Sequence, residues 1–465
     1  MNKRMIAYLL GRMLTVEAVL MAPSAVLAAV YGEGDLRAFL VTMALLVLLG
    51  VPLSLRRPAN SAIFAREGFV TVALAWVLMS GFGALPMVLS GAIPSYVDAL
   101  FEMVSGFTTT GASILKEVES LPRGVLFWRS FSHWVGGMGV LVFVMAILPM
   151  SENRSMVLMR AEVPGPTASK LVPRMRDTAK ILYGTYSVMT LALIVLLLLG
   201  GMPWFDAVCN AMGTAGTGGF SVRNVGIAYY NSPYIEVVLS IFMLLFAINF
   251  NLYYLILIRR VREALKSEEL HWFLGIVTGA VLIITACVLP LYSGLGESLR
   301  HALFQVSSII STTGFATVDF ALWPVLAQEV LLVLMFVGAC AGSTGGGFKA
   351  SRVALSCKSL AAELHHLLHP RAVTTVRLDG KAVDHATITG TRNYLIGCVL
   401  ILTAVTLLIA VDGFDFTTNF SAAMSCFNNI GPGLSVVGPM SNYSAYSPFS
   451  KLLLSLAMLA GRLEV

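Results

Sequence analysis

A chain of 465 residues with 57% hydrophobic and only 12% charged residues is too apolar for a soluble domain, where apolar residues are roughly half and charged ones about a quarter. It reads as an all-α polytopic membrane protein. The formal net charge of +6 does not imply a nucleic-acid partner, because the bulk of the Lys and Arg fall in a few short loops between apolar runs, the positive-inside pattern.

The first apolar run follows Met1-Asn-Lys-Arg4 and continues to about Val30. Val26-Leu-Ala28 resembles a signal-peptide cleavage site, but Arg12 and Glu17 interrupt the run, and its length suits a retained spanning helix of about 20 residues. A second span is expected over about Ala38 to Leu55, and Arg56, Arg57 and Arg66 after it put that end, and so the N-terminus, in the cytoplasm. These two helices form a preface, residues 1–67.

From Phe69 a pattern repeats four times: a span, a short apolar segment, a polar loop, a second span. The units are bounded at 68–150, 151–265, 266–355 and 356–465, the second and fourth beginning with a linker. In unit one the segments are about Phe69 to Leu89, Val97 to Thr110 and Phe127 to Leu148. The middle segment is too short to cross a hydrocarbon core of ~30 Å, for which a helix needs ~20 residues. It enters halfway and returns. The joints 151–180, 259–266 and 351–392 carry the cations, among them Arg154, Arg160, Lys170, Arg174, Arg176, Arg259, Lys358, Arg371 and Lys381, so they face the cytoplasm and the polar loops re-enter from outside. The expectation is ten full spans and four half-helices.

The polar loops are Phe107-Thr-Thr-Thr-Gly-Ala-Ser113, Ala215-Gly-Thr-Gly-Gly-Phe-Ser221, Ile310-Ser-Thr-Thr-Gly-Phe-Ala316 and Phe427-Asn-Asn-Ile-Gly-Pro-Gly433. Aligned on Gly111, Gly219, Gly314 and Gly431, they also align Asp98, Asp206, His301 and Thr418, each thirteen residues upstream. The column two before the glycine reads Thr109, Thr217, Thr312, Asn429. Non-helical backbone at membrane depth is tolerated where it is buried in protein or lines a watery path. Backbone carbonyls can replace a cation's lost hydration without fixed charge. Glycine lets such a chain turn its carbonyls towards an axis, and the negative end of each half-helix dipole would point at the ion. The candidate cation-binding residues are therefore Thr109, Thr110, Gly111, Thr217, Gly218, Gly219, Thr312, Thr313, Gly314, Asn429, Ile430 and Gly431. The competing reading, that these small residues only permit close helix packing, explains one loop better than four in register.

With His133-Trp-Val-Gly-Gly-Met-Gly139, Gly342-Ser-Thr-Gly-Gly-Gly-Phe-Lys349 and Gly461-Arg-Leu-Glu464, these loops make the chain resemble, over nearly its whole length, the TrkH potassium-uptake family of the Trk, Ktr and HKT superfamily. The resemblance implies four M1-P-M2 units arranged pseudo-fourfold around one pore, a homodimer in the bacterial cytoplasmic membrane and its lipid, and a cytoplasmic TrkA-like ring of nucleotide-binding domains as regulatory partner, docked on the basic joints. Glycine in all four loops goes with potassium preference in that family, so Gly111 implies potassium as the transported substrate. The last span begins near Pro448 and the chain stops at Val465, where family chains continue. That short span is a departure from the pattern.

Gly342 to Lys349 interrupts the second span of unit three. It is not a Walker A loop, since Phe348 separates Gly347 from Lys349 and no strand precedes it. A glycine-kinked helix is one reading. The other, suggested by the family, is a gate below the filter formed by Gly345, Gly346, Gly347 and Lys349 and braced by Arg462, whose bland alternative is snorkelling to an interface. Glu464 is poorly placed to pair with Arg462 on one helix face. His365 and His369 lie one turn apart but lack further ligands for a metal. Asn249 and Asn251 either line the pore or join helices, and His133 is expected to pack in the bundle. The six cysteines form no CxxC pair, no catalytic constellation stands out, and the chain holds no cofactor-binding pattern. A secondary transporter with alternating access is the alternative to a channel-like pore, although such proteins often use inverted repeats and the four units here run the same way.

Overall fold

The computed structural model describes residues 2–55, 58, 64–139, 175–372 and 374–464. The chain opens with α1 (Lys3–Leu20), α2 (Ala22–Tyr31) and α3 (Leu36–Leu55). Helices α1 and α3 pack together through Gly11 and Gly50, where an added Cβ on either would meet the other's carbonyl oxygen at 2.8 Å. This is the small-residue contact that lets membrane helices approach closely.

Next come α4 (Ala65–Gly83), α5 (Leu85–Leu89), α6 (Tyr96–Phe107) and α7 (Arg123–Gly137), then α8 (Met175–Leu199), α9 (Trp204–Ala215), α10 (Pro233–Ala247), α11 (Phe250–Leu257) and α12 (Val261–Leu265). The third group is α13 (Glu268–Val288), α14 (Leu295–Ile310), α15 (Val325–Val337) and α16 (Ala350–Leu368). A two-stranded antiparallel hairpin, β1 (Arg377–Leu378) with β2 (Lys381–Ala382), pairs Arg377 with Ala382. The chain closes with α17 (His385–Ile409), α18 (Phe416–Phe427) and α19 (Pro448–Leu463).

Among the described residues six helices are long and apolar enough to cross a membrane, or seven segments if α10 and α11, bent by 91° at their junction, form one span. Of the other segments expected to cross, α7, α15 and α19 are 15, 13 and 16 residues long. The expected continuation of the α7 span to Leu148, most of the joint 151–180, and Arg56 and Arg57 lie outside the described residues. The bend between α10 and α11 was not expected from the sequence. Asn249 caps α11, its Oδ1 accepting from the Asn251 N–H at 3.0 Å, so Asn249 ends one helix and starts the next.

The four short helices α6, α9, α14 and α18 hold 12, 12, 16 and 12 residues. At ~1.5 Å per residue a 12-residue helix reaches only ~18 Å. Three of them begin at a side-chain cap or a proline: Ser95 accepts from the Asp98 N–H, Pro203 precedes α9, and Asp415 accepts from the Thr418 N–H. Their packing is cyclic. Each short helix touches the helix before it (α4, α8, α13, α17) and the one after it (α7, α10, α15, α19). Each also touches the last helix of the preceding group: α9 meets α7, α14 meets α10, α18 meets α15, and α6 meets α19. The core follows this ring, with Trp76, Phe101, Phe107, Trp128, Tyr186, Phe246 and Tyr443 fully buried. Leu48, Leu191, Val195, Leu282, Leu400 and Leu407 are exposed on the long helices, an apolar outer surface suited to lipid.

Candidate functional site

All four short helices end in the same turn. The N–H groups of Thr110, Gly218, Thr313 and Ile430 reach back five residues to the carbonyls of Ser105, Gly213, Ser308 and Ser425 at 2.8, 2.8, 2.8 and 3.0 Å, the long bond of a Schellman ending. The residue this motif holds in the left-handed region is Thr109, Thr217, Thr312 or Asn429, with φ of 57°, 55°, 61° and 56°. Such a conformation costs a non-glycine residue ~1–2 kcal/mol. The polar column of the sequence is therefore a column of strained backbone, and at two of its four positions the side chain bonds across to another segment. Thr312 Oγ1 accepts from the Gly346 N–H at 2.7 Å, and Asn429 Nδ2 donates to Thr110 Oγ1 at 2.9 Å and the Met458 carbonyl at 3.0 Å.

Two residues on, the backbone turns left-handed again at Gly111, Gly219, Gly314 and Gly431, with φ of 78°, 75°, 82° and 105°. These glycines meet one another's loops in sequence. A Cβ on Gly111 would fall on the Gly218 carbonyl oxygen, one on Gly219 on that of Thr313, one on Gly314 on that of Ile430, and one on Gly431 on that of Thr110. The circuit closes on itself. All twelve residues singled out from the sequence thus lie on four adjoining loops. On one side of the circuit is a recess of about 120 Å³ whose lining includes the four glycines.

Gly338 to Lys349 is an irregular segment between α15 and α16, with positive φ at Gly338, Gly342, Gly347 and Lys349. It is a loop between two helices, which replaces the kinked-helix reading. It lies against the turns that end α14 and α18: a Cβ on Gly345 would meet the Ser311 carbonyl oxygen at 2.8 Å, and one on Gly346 the Asn428 carbonyl oxygen at 2.5 Å. Lys349 is 1% exposed and its ammonium donates to the Gly345 carbonyl. The segment is also tied to the α10–α11 break, since the N–H of Phe250 donates to the Gly342 carbonyl at 3.0 Å and that of Cys340 to the Ala247 carbonyl at 3.0 Å. Asn249, which caps α11, sits beside Gly342 of this segment, where an added Cβ would meet its Oδ1 at 3.0 Å.

Arg462 is buried and does not snorkel. Its Nη1 donates to the Thr344 carbonyl at 2.9 Å, and its Nη2 donates to the Gly136 and Gly137 carbonyls at 2.6 and 2.8 Å. Glu464 pairs with Arg352 of α16. Sequence reasoning missed Glu269, whose Oε1 accepts from the Ala341 N–H at 2.7 Å and the Ser351 N–H at 3.2 Å, fastening both ends of the glycine loop. It also missed the pair of Glu102 and Arg129. A charge inside an apolar segment was the available signal for both. The rings of His365 and His369 stack at 4.8 Å, and among the described residues no group of three metal-ligating side chains occurs.

Residues 36–465 match the TrkH family of cation transport proteins. The chain is 36% identical to the Trk system potassium uptake protein TrkH of Halomonas elongata, over all of this chain and 97% of that one. It is 34% identical to the Trk system potassium uptake protein TrkG of Escherichia coli, over 99% of this chain and 96% of that one. The crystal structure of the potassium transporter TrkH from Vibrio parahaemolyticus superposes with a TM-score of 0.89 at 32% identity, covering 100% and 97% of the two chains. With full-length similarity, and with helices long and apolar enough to span a bilayer, the chain is an integral membrane protein and belongs to the TrkH family of cation transport proteins.

Proposed function

We propose that the chain takes up potassium across the bacterial cytoplasmic membrane through a channel-like pore, with four M1-P-M2 units around one axis and the four loops as its selectivity filter. The observation that carries this reading is the closed circuit in which each loop glycine abuts the carbonyl oxygen of the next loop. A lone small-residue helix contact has no reason to close after four steps, whereas a ring of carbonyls does. Stacked carbonyls replace the hydration shell of a monovalent ion, and the C-terminal ends of α6, α9, α14 and α18, which lead into the loops, add a favourable field for a cation. The relatives named above are potassium-uptake proteins, in keeping with this substrate. The potassium ion is cargo and needs no resident cofactor.

Gly345, Gly346, Gly347 and Lys349 form the gate in this reading. The loop packs against the turns that end α14 and α18, and a buried ammonium near the path repels an entering cation. Regulation comes from outside the chain, through a cytoplasmic TrkA-like nucleotide-binding ring acting on a homodimer. Uptake of ⁸⁶Rb⁺ and ²²Na⁺ into liposomes containing the purified protein tests the proposal: rubidium, standing in for potassium, enters faster than sodium. Equal uptake of the two, or none above empty liposomes in the presence of the regulatory ring, would refute it.

A further inference from the structure

The joint between the first and second loops is braced by one helix face. On α7, Arg129 and His133 are one turn apart and both fully or almost fully buried, at 2% and 0% exposure. Arg129 pairs with the carboxylate of Glu102 on α6, at 2.8 Å through Nε and 2.7 Å through Nη2. That carboxylate also accepts from Ser113 Oγ at 3.0 Å and the Ile114 N–H at 3.0 Å, so it holds the first loop just beyond Gly111. The same guanidinium reaches the second loop, where Nη1 donates to the Ser221 carbonyl at 3.4 Å and Cζ lies 4.0 Å from the centre of the Phe220 ring.

His133 completes the grip. The Phe220 N–H, adjacent to Gly219, donates to Nε2 at 3.2 Å, and Nδ1 lies 2.7 Å from the Gly106 carbonyl. An Nε2 that accepts leaves Nδ1 as the protonated nitrogen donating to Gly106, so the ring is neutral and its tautomer is set. A Cβ on Gly218 would run into this imidazole. The ring is thus packed directly behind the residue whose carbonyl meets Gly111.

We propose that Glu102, Arg129 and His133 are specificity-determining positioning residues: a buried clamp that sets the spacing of the first and second loop carbonyls. The clamp rests on reading the loops as a cation filter. Its three members hold the loops at Ser113 and Ile114, just beyond Gly111, and at Gly218, Phe220 and Ser221, on either side of Gly219. Their removal widens the ring where those loops meet, and a looser ring discriminates less between a larger and a smaller cation while still conducting.

The test is the ratio of ⁸⁶Rb⁺ to ²²Na⁺ uptake by the full chain in liposomes. His133→Leu lacks the acceptor and lowers the ratio at least threefold with rubidium uptake retained. His133→Gln places an amide oxygen about where Nε2 lies and keeps the ratio within a factor of two of the original. Glu102→Gln combined with Arg129→Gln removes the pair without leaving a lone buried charge, lowers the ratio likewise, and carries the test if the Leu variant does not accumulate. Folded variants that all keep the original ratio would overturn the clamp. An unmodified protein that does not discriminate would instead overturn the filter on which it rests.

Discussion

The guanidinium of Arg462 lies 2.9 Å from the carbonyl oxygen of Thr344, tying the last helix to the glycine loop that interrupts the third group of helices. The same side chain holds the Gly136 and Gly137 carbonyls at the end of α7, so one cation links three separate segments. In the proposed mechanism this link keeps the gate seated.

Replacing Arg462 by Met takes the guanidinium donor from the Thr344 and Gly137 carbonyls, about 1–3 kcal/mol for each left unsatisfied, while the Gly136 carbonyl keeps the Gly139 N–H at 3.0 Å. Basal rubidium flux in the absence of the regulatory ring should rise severalfold, with a lowered thermal midpoint. A variant that is destabilised yet has unchanged flux would remove Arg462 from gating.

Glu269 fastens the loop at both ends through the Ala341 and Ser351 N–H groups. Glu269→Ala should raise basal flux in the same direction as Arg462→Met, and by a smaller factor, because the loop keeps its contacts to Thr312 and to the α10–α11 break. Flux assays on the two variants side by side check the order.

Deleting Gly345 to Gly347 removes the part of the loop packed against the turns ending α14 and α18. Basal flux should rise about tenfold or more, the change expected if an obstruction worth at least ~1.4 kcal/mol is lost. A folded deletion variant with ordinary basal flux would show that the loop does not obstruct the path.

The four polar loops were legible in the sequence because their geometry needs particular residues at fixed spacing. A second left-handed turn beside a neighbouring carbonyl admits only glycine, so Gly111, Gly219, Gly314 and Gly431 stand in one column. The meaning of the column before it was half legible. Thr109, Thr217, Thr312 and Asn429 could be read as polar, but their positive φ is imposed by the helix ending. The loop at Gly342 to Lys349 declared itself by its glycines. Of its anchors, Glu269 was missed and Arg462 was named only through the family resemblance, because it meets Thr344 from 118 residues away and no periodicity records such a pairing. Glu464 was read only against its own helix, and its partner Arg352 belongs to another. The break at Asn249 was hidden because α10 and α11 are both apolar and only their 91° bend distinguishes them from one span.

The filter itself is tested at Gly111. With φ at 78° and the Gly218 carbonyl where a side chain would start, Gly111→Ser must displace the neighbouring loop. The reversal potential of the reconstituted protein, with potassium on one side of a planar bilayer and sodium on the other, reports this most directly. The unmodified protein should reverse well towards the potassium equilibrium potential, and Gly111→Ser should shift the reversal towards zero. Identical reversal potentials for the two proteins would contradict the account, because the carbonyl circuit would then have no part in choosing the ion.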